Sequence, residues 1–346
     1  MTTTLAPPAS QASALDTLDD NLLDACHPVD SNGFMANWWR HLAPKFNIRQ
    51  SHGDWVLLHQ EKVKGLITFK ELRLTGWNYG WSQELTKKKL ADFKTITQQT
   101  KWDYAALLCA ESKDIQAVEQ SFRDLGLPTL VQPHTAYAMV DLSQGFETYL
   151  KGLSANDRRN FRTKLKKAAK LNPQFIDLPS NSPENVDDFF QRFFPPHIAY
   201  WDQKTGHSYL NDPRERDFIL SWAKTLQQSG NLLLQALHYN GEEATLNMNI
   251  VVDNTLYWPL VINTGRYNDY FPGIVNLYLM FELAAQRGIQ TINLAPGAYQ
   301  YKKQAASYLD PIHKLMVFNP ASLTGRAYHQ YLKQKVQAAQ SQAAKV

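Results

Sequence analysis

The sequence predicts an α/β fold of α+β mixed-sheet character, built as two similar halves in which helices flank each sheet. Three observations carry the prediction. Apolar runs of strand length alternate with amphipathic segments of helix length along most of the chain. Asn240-Gly241 separates two strand-like runs, the strongest short hairpin signal. A nearly all-apolar segment, Ile274 to Ala285, opens at Pro272-Gly273 and reads as a buried helix.

The elements follow in order. Residues 1–28, rich in Ala, Ser, Thr, Pro and Asp, read as a flexible tail. The first half, 29–145, opens with "GDWVLLHQEKVKGLITFKELRL", which predicts strands over 55–60 and 64–74 around a charged turn. A helix is expected over 83–98, and "WDYAALLCA" is an apolar run of strand length. "SKDIQAVEQSFRDLG" is an amphipathic helix, with Ser112 as its expected cap and Gly126 just past its end. "TAYAMVDL" closes the half as a strand with partial alternation.

The second half, 146–340, opens with helices in "FETYLKGL" and "ANDRRNFRTKLKKAAKL". The latter is capped by Ser154 with Asp157 three residues on. Helices are expected over 183–194 and 213–229. "NLLLQALHY" and "EATLNMNIVV" form the Asn-Gly hairpin, and "TLYWPLVI" follows Asp253-Asn254 as a third strand. Then come a helix over 273–287, the strand "TINLA", a short helix over 300–307, the strand "HKLMVF" and a terminal helix.

Composition narrows the function classes. With 346 residues, 44% of them hydrophobic, the chain has ample material for a core. Lys plus Arg is 36 and Asp plus Glu 32, so a formal charge of +4 does not by itself demand a nucleic-acid partner. Cys26 and Cys109 stand far apart in no metal or redox motif, which favours a reducing compartment without a disulfide framework. The N-terminus lacks a basic start and an apolar run. No transmembrane segment is expected either, so the reading is a cytoplasmic protein. The ten His show no metal-ligand spacing, and no metal is expected.

Pro272-Gly273 is the most informative dipeptide. Pro suits a helix's first turn, where its missing N–H would be unpaired anyway. Gly lets another group approach the backbone. The free N–H groups at such a start carry partial positive charge and can cradle a phosphate or pyrophosphate. A bare turn before a helix is the alternative. Pro259 in the preceding strand cannot donate to a ladder, so it marks an edge, a bulge or a place where strands part. Parting strands before an anion-cradling helix would make a slot for an extended ligand with a phosphate end.

"FMANWWRHL", "FETYLKGLSANDRRNFRTKLKKA", "YNDYFPG" with its helix ending "ELAAQRG", and "INLAPGAYQYKKQ" stand in one order over 30–320. That order resembles the GNAT acyltransferases, with both halves GNAT-like and the C-terminal one more complete. It is most similar to the CelD-like acetyltransferases of polysaccharide synthesis and, more distantly, to Fem-type aminoacyl transferases. The resemblance implies acetyl-CoA or another acyl-CoA as donor, held between two splayed strands with its pyrophosphate on the following helix. It also implies an amine acceptor, expected to be an amino sugar. Two features depart from it: Phe271-Pro272-Gly273 replaces the usual glycine loop, and Asn293 stands where related proteins often carry Asp.

No Gly-x-Ser-x-Gly and no Cys elbow offers a nucleophile, so transfer is expected to be direct. The resemblance places Tyr301 and Lys302 beside the reacting groups. There a phenol could protonate the leaving sulfur and an ammonium could stabilise developing charge. A half-buried Tyr and a solvated Lys are the plain alternatives. Asp269, in the loop before Pro272, is the candidate for contacting the amine. Pro272, Gly273 and Ile274 are the expected donor cradle.

Arg158, Arg159, Arg162, Lys166 and Lys170 share one helix face. They read as a solvated face, or as contacts to donor phosphates (Arg158 and Arg162 first), a tRNA backbone, or an anionic polymer or lipid surface. Aromatic residues in "GWNYGW" and "HIAYWDQKTGH" fit either packing or a saccharide. An aminoacyl-tRNA-dependent transferase and a non-catalytic binding protein of the same fold are the alternative functions.

Overall fold

Local chemistry accounts for most helix and strand ends. The computed structural model describes residues 28–62, 67–297 and 299–343, so the expected tail over 1–28 and Cys26 fall almost wholly outside the described residues. The chain divides into two compact units. Among the described residues, one holds 38–136 and 310–343, the other 28–37 and 137–309. Helix α1 (Asn32–His41) is divided between the two.

The first unit contains β1 (Ile48–His52), β2 (Trp55–Lys62), β3 (Ile67–Leu74), α2 (Lys87–Gln99), β4 (Tyr104–Ala110) and α3 (Ile115–Arg123). Strand β5 (Thr129–Asp141) passes from it into the second unit. Strands β1, β2 and β3 pair antiparallel, and β3 pairs parallel with β4 across the α2 crossover. Trp55, Leu72, Phe93 and Phe122 bury together with the apolar side of β4. Gly76 and Gly80 take left-handed backbone (φ 82° and 72°) around a turn at Trp77–Tyr79. Trp77 packs on Trp38 and Phe46, and Asn78 accepts the Trp38 indole N–H at 2.8 Å. Trp77 of "GWNYGW" therefore serves packing.

In the second unit stand α4 (Phe146–Gly152), α5 (Ala155–Ala168), β6 (Gln174–Asp177), α6 (Pro183–Thr205), α7 (Pro213–Gln228), β7 (Leu232–Tyr239), β8 (Glu242–Val252) and β9 (Thr255–Asn263). Helix α8 (Pro272–Gln286), β10 (Thr291–Pro296) and α9 (Gln300–Ala305) follow. Strand β11 (Tyr308–Phe318) carries the chain back into the first unit, where it pairs antiparallel with β4 and leads to α10 (Leu323–Ala343). The second unit's strand order is β5-β10-β9-β8-β7-β6, antiparallel except for the parallel pair β9–β10 joined by α8. Mixed α/β architecture in two halves is what the sequence implied.

The hairpin turn closes as its residues demand, with Asn240 and Gly241 both at positive φ (50° and 83°). Ser154 caps α5, accepting the Asp157 N–H at 3.1 Å. Helix α8 is buried or half-buried from Pro272 to Ala285. Its Leu277, Met280, Phe281 and Ala284 pack with Val140, Ile292 and Leu294 of the sheet. Each such large side chain contributes about 1.5–3 kcal/mol on burial.

Some expectations need correction. Helix α3 is capped by Asp114, whose carboxylate accepts the Ala117 N–H at 3.2 Å. Ser112 instead binds the Asp310 carboxylate at 2.5 Å. Helix α6 does not stop at 194. It continues through Pro195 and Pro196 to Thr205, because Phe189, Phe190, Phe193 and His197 bury one continuous stripe. Proline's fixed φ is helical, and burial outweighs the lost N–H donors. Strands β1 and β6 had no expectation attached; both are short and mostly part-exposed or exposed.

Candidate acyl-transfer cleft

Strands β9 and β10 pair only at Thr255–Tyr257 and Thr291–Asn293. Beyond that point both strands bulge. In β9, Trp258 and Pro259 together oppose the single Asn249, between the pairs Ile250–Tyr257 and Met248–Leu260. The parting expected at Pro259 thus occurs there. In β10, Ala295 sits at φ 63°, and Asn293 Oδ1 accepts the Ala295 N–H at 2.9 Å. Asn293 therefore holds a bulge, a role an amide oxygen fills as well as a carboxylate.

The parted strands border a cleft of about 400 Å³. Trp258, Val261, Asn263 and Ile274 form its inner side. Tyr200, Trp201 and Lys204, from the part of α6 beyond the prolines, form another wall with Tyr299 and Tyr301. Pro272 and Gly273 lie at the start of α8, where the chain turns through two left-handed residues, Tyr267 (φ 63°) and Phe271 (φ 55°). No side chain caps this start. The Ile274 and Val275 N–H groups bond back to the Phe271 carbonyl at 3.0 and 3.1 Å. A Cβ at Gly273 would lie only 3.2 Å from Asn263 Nδ2, so glycine is what lets the helix start approach β9. Asn263 Oδ1 is buried there without a hydrogen-bond partner among the described residues.

Two lysines reach the same corner. Lys167 Nζ lies 5.3 Å from the Phe271 ring centroid and 5.5 Å from that of Tyr270, and Lys164 Nζ lies 5.3 Å from Phe271. The sequence puts Arg158, Arg159, Arg162, Lys166 and Lys170 on one face and draws no attention to these two. Arg158 instead turns to its own neighbourhood, donating to the carbonyls of Lys151 (2.7 Å) and Leu153. Arg162 is exposed. Lys164 and Lys167 stand one helical turn apart on α5, beside the buried Phe161 and Ala168, with no local signal that sets them apart from solvated lysines.

The remaining candidates separate as follows. Tyr301 lines the cleft, stacked beside Tyr299 with planes 8° apart. Burial, then the Tyr299 and Tyr200 phenols, push its hydroxyl up to about 12. Lys302 does not line the cleft. Its ammonium is buried over the Ala295 and Pro296 carbonyls, both at 3.3 Å, and burial lowers its pKa to about 8. Asp269 is exposed in the turn Asn268–Tyr270; its neighbour Asn268 lines the cleft. Glu242 accepts from Tyr267 at 2.8 Å, and Glu243 pairs with Arg192. Among the described residues no cluster of His, Cys, Asp and Glu could hold a metal ion, and no helix is long and apolar enough to cross a membrane.

A strand–helix–strand splay with an uncapped helix start is thus the local architecture of the cleft. Residues 155–303 match the family model of an acetyltransferase (GNAT) domain. Over those residues the chain is similar to an acetyltransferase (GNAT) domain. Solved structures extend the likeness in fold to most of the chain. FemX is similar at 10% identity, covering 89% of this chain and 96% of its own, with a TM-score of 0.51. L-PGS from Bacillus licheniformis is similar at 11% identity, covering 92% and 93%, with a TM-score of 0.50. A conserved protein of unknown function from Bacteroides thetaiotaomicron is similar at 12% identity, covering 90% and 97%, with a TM-score of 0.50. No curated protein matches the chain.

Proposed function

We propose that the second unit transfers an acetyl or other acyl group from acyl-CoA directly to an amine. The CelD-like resemblance points to an amino-sugar acceptor in polysaccharide or cell-envelope synthesis. The observation that carries the reading is the parting of β9 and β10 beside the uncapped start of α8. Beyond Tyr257 the β9 edge has no strand partner on that side among the described residues, and an extended chain of amides can pair with it. At one end of that path Gly273 and the ammonium groups of Lys164 and Lys167 suit a pyrophosphate. At the other, Tyr301 presents a phenol that stays protonated at neutral pH and can donate to a departing thiolate. The neutral amine attacks the thioester carbonyl, the C–N bond forms as the C–S bond breaks, Tyr301 gives its proton to the sulfur, and the proton shed by the nitrogen returns through solvent to the phenol. Lys302 supports this arrangement by fixing the bulge carbonyls behind the site.

A second reading, transfer from an aminoacyl-tRNA, draws on one observation. Arg159, Arg162 and Lys166 on α5 and Lys170 in the turn just after it are exposed with no carboxylate partner among the described residues. Such a strip suits a phosphate backbone.

Calorimetric titration with acetyl-CoA separates the two. Binding that Gly273→Trp abolishes supports the acyl-CoA reading. Absence of binding, together with transfer that ribonuclease destroys, would replace it with the tRNA-dependent one.

A further inference from the structure

The lining of the cleft contains one charged side chain, Lys204, and no carboxylate. Its ammonium is held in place: it donates to the Tyr200 hydroxyl at 3.1 Å and lies 4.9 Å from the Trp201 ring centroid and 5.3 Å from that of Tyr200. No acidic side chain among the described residues pairs with it. The corner suited to the donor's phosphates has its own cations in Lys164 and Lys167, neither of which lines this cleft.

The wall around Lys204 is aromatic and open. Tyr200 is 43% exposed, Tyr299 53% and Tyr301 36%. Exposed rings gathered in one concavity are a ligand-facing surface. A cationic acceptor finds no counter-charge here and meets Lys204 instead. An acceptor whose amine is neutral and whose own anionic group pairs with Lys204 finds both a charge partner and a ring surface.

We infer that the acceptor carries an anionic substituent, held by Lys204, on a ring that lies against Tyr200 and Tyr299. The inference rests on the acyl-transfer reading. It makes Lys204 a specificity residue for the acceptor rather than for the donor.

Matched probes differing only in the anion test it by calorimetry on the full chain. The pairs are glucosamine with glucosamine 6-phosphate and aniline with 4-aminobenzoate, and inorganic phosphate is titrated alone. The anionic member of at least one pair is expected to bind about tenfold tighter or more, and which pair responds tells a sugar ring from an aryl ring. Lys204→Ala should erase that preference and leave acetyl-CoA affinity as it was. No preference in either pair, or one that survives in Lys204→Ala, overturns the inference. So does inorganic phosphate binding as tightly as the phosphosugar, because the ring then contributes nothing. A fall in acetyl-CoA affinity in Lys204→Ala also overturns it, assigning the lysine to the donor. Failure of acetyl-CoA to bind the native protein would sink the transfer reading alone, since the probe pairs report on Lys204 without any donor.

Discussion

Asn247 of β8 and Asn276 of α8 exchange a reciprocal pair of side-chain hydrogen bonds, 2.7 and 2.9 Å long, with both residues wholly buried. Thr245 adds a hydroxyl to Asn276 Oδ1 at 2.7 Å, and the Trp258 indole donates to Asn247 Oδ1 at 2.9 Å. A buried amide pair has few satisfactory arrangements, so it sets where α8 starts relative to the bulge in β9. Asn276→Leu strands partners that water cannot reach and is expected to cost about 1–3 kcal/mol in urea unfolding. The double variant Asn247→Leu/Asn276→Leu should lose less than the sum of the single losses. Simple additivity would show that the pair does not act as a unit.

Lys164 and Lys167 are expected to govern donor affinity. Reversing either charge to Glu should weaken acetyl-CoA binding about tenfold at low salt, and the loss should shrink as ionic strength rises. Arg158→Ala should behave differently. Its guanidinium holds the Lys151 and Leu153 carbonyls, so that change should lower thermal stability more than affinity. Calorimetry and a melting curve on each variant decide the matter. An unchanged Kd in both lysine variants would remove these residues from the cradle.

Which of these features the sequence disclosed follows from the range of each signal. Asn240-Gly241 and Pro272-Gly273 act through their own backbone and Ser154 through a hydroxyl that reaches three residues along, so each of these signals is local. Pro259, which lacks a donor wherever it stands, announces an edge, a bulge or a parting, and the structure has a bulge there where pairing with β10 has ended. Lys164 and Lys167 were not legible. On α5 they look like any solvated lysines, and only the packing of that helix against α8 brings them to Phe271. Tyr200 and Trp201 stand out in "HIAYWDQKTGH" as aromatics fit for packing or a saccharide, but Pro195-Pro196 mimics a helix stop and conceals the helix that places them beside Lys204. The burial that carries α6 through is contributed by residues distant in sequence. Strand β6, only four residues long, is too short to show a period.

Lys302 should leave a signature in the pH dependence of stability. Its folded pKa is lowered by burial to about 8, from an ordinary 10.5. Between those values the unfolded chain binds more protons than the folded one, so stability must rise with pH across that window. Below about pH 8 both states are protonated and the full cost of the buried charge is present. Lys302→Met removes the titration. The native protein should therefore gain stability relative to this variant from pH 8 to 10, measured by urea unfolding at each pH. Parallel stability curves would show that the ammonium is not desolvated as its surroundings imply.

Tyr301 should act on the chemical step rather than on donor binding. Its hydroxyl, pushed up to about 12, remains a proton donor across the whole usable pH range. Tyr301→Phe keeps the ring beside Tyr299 and the shape of the cleft but removes the proton. The expected result is a drop in kcat of about a hundredfold with the acetyl-CoA Kd unchanged within about twofold. A thioester with a more acidic leaving thiol needs the proton less, so the native-to-variant ratio should narrow with such a donor. If Tyr301→Phe instead weakens donor binding and leaves kcat intact, the phenol is a wall of the cleft and the proton reaches sulfur by another route.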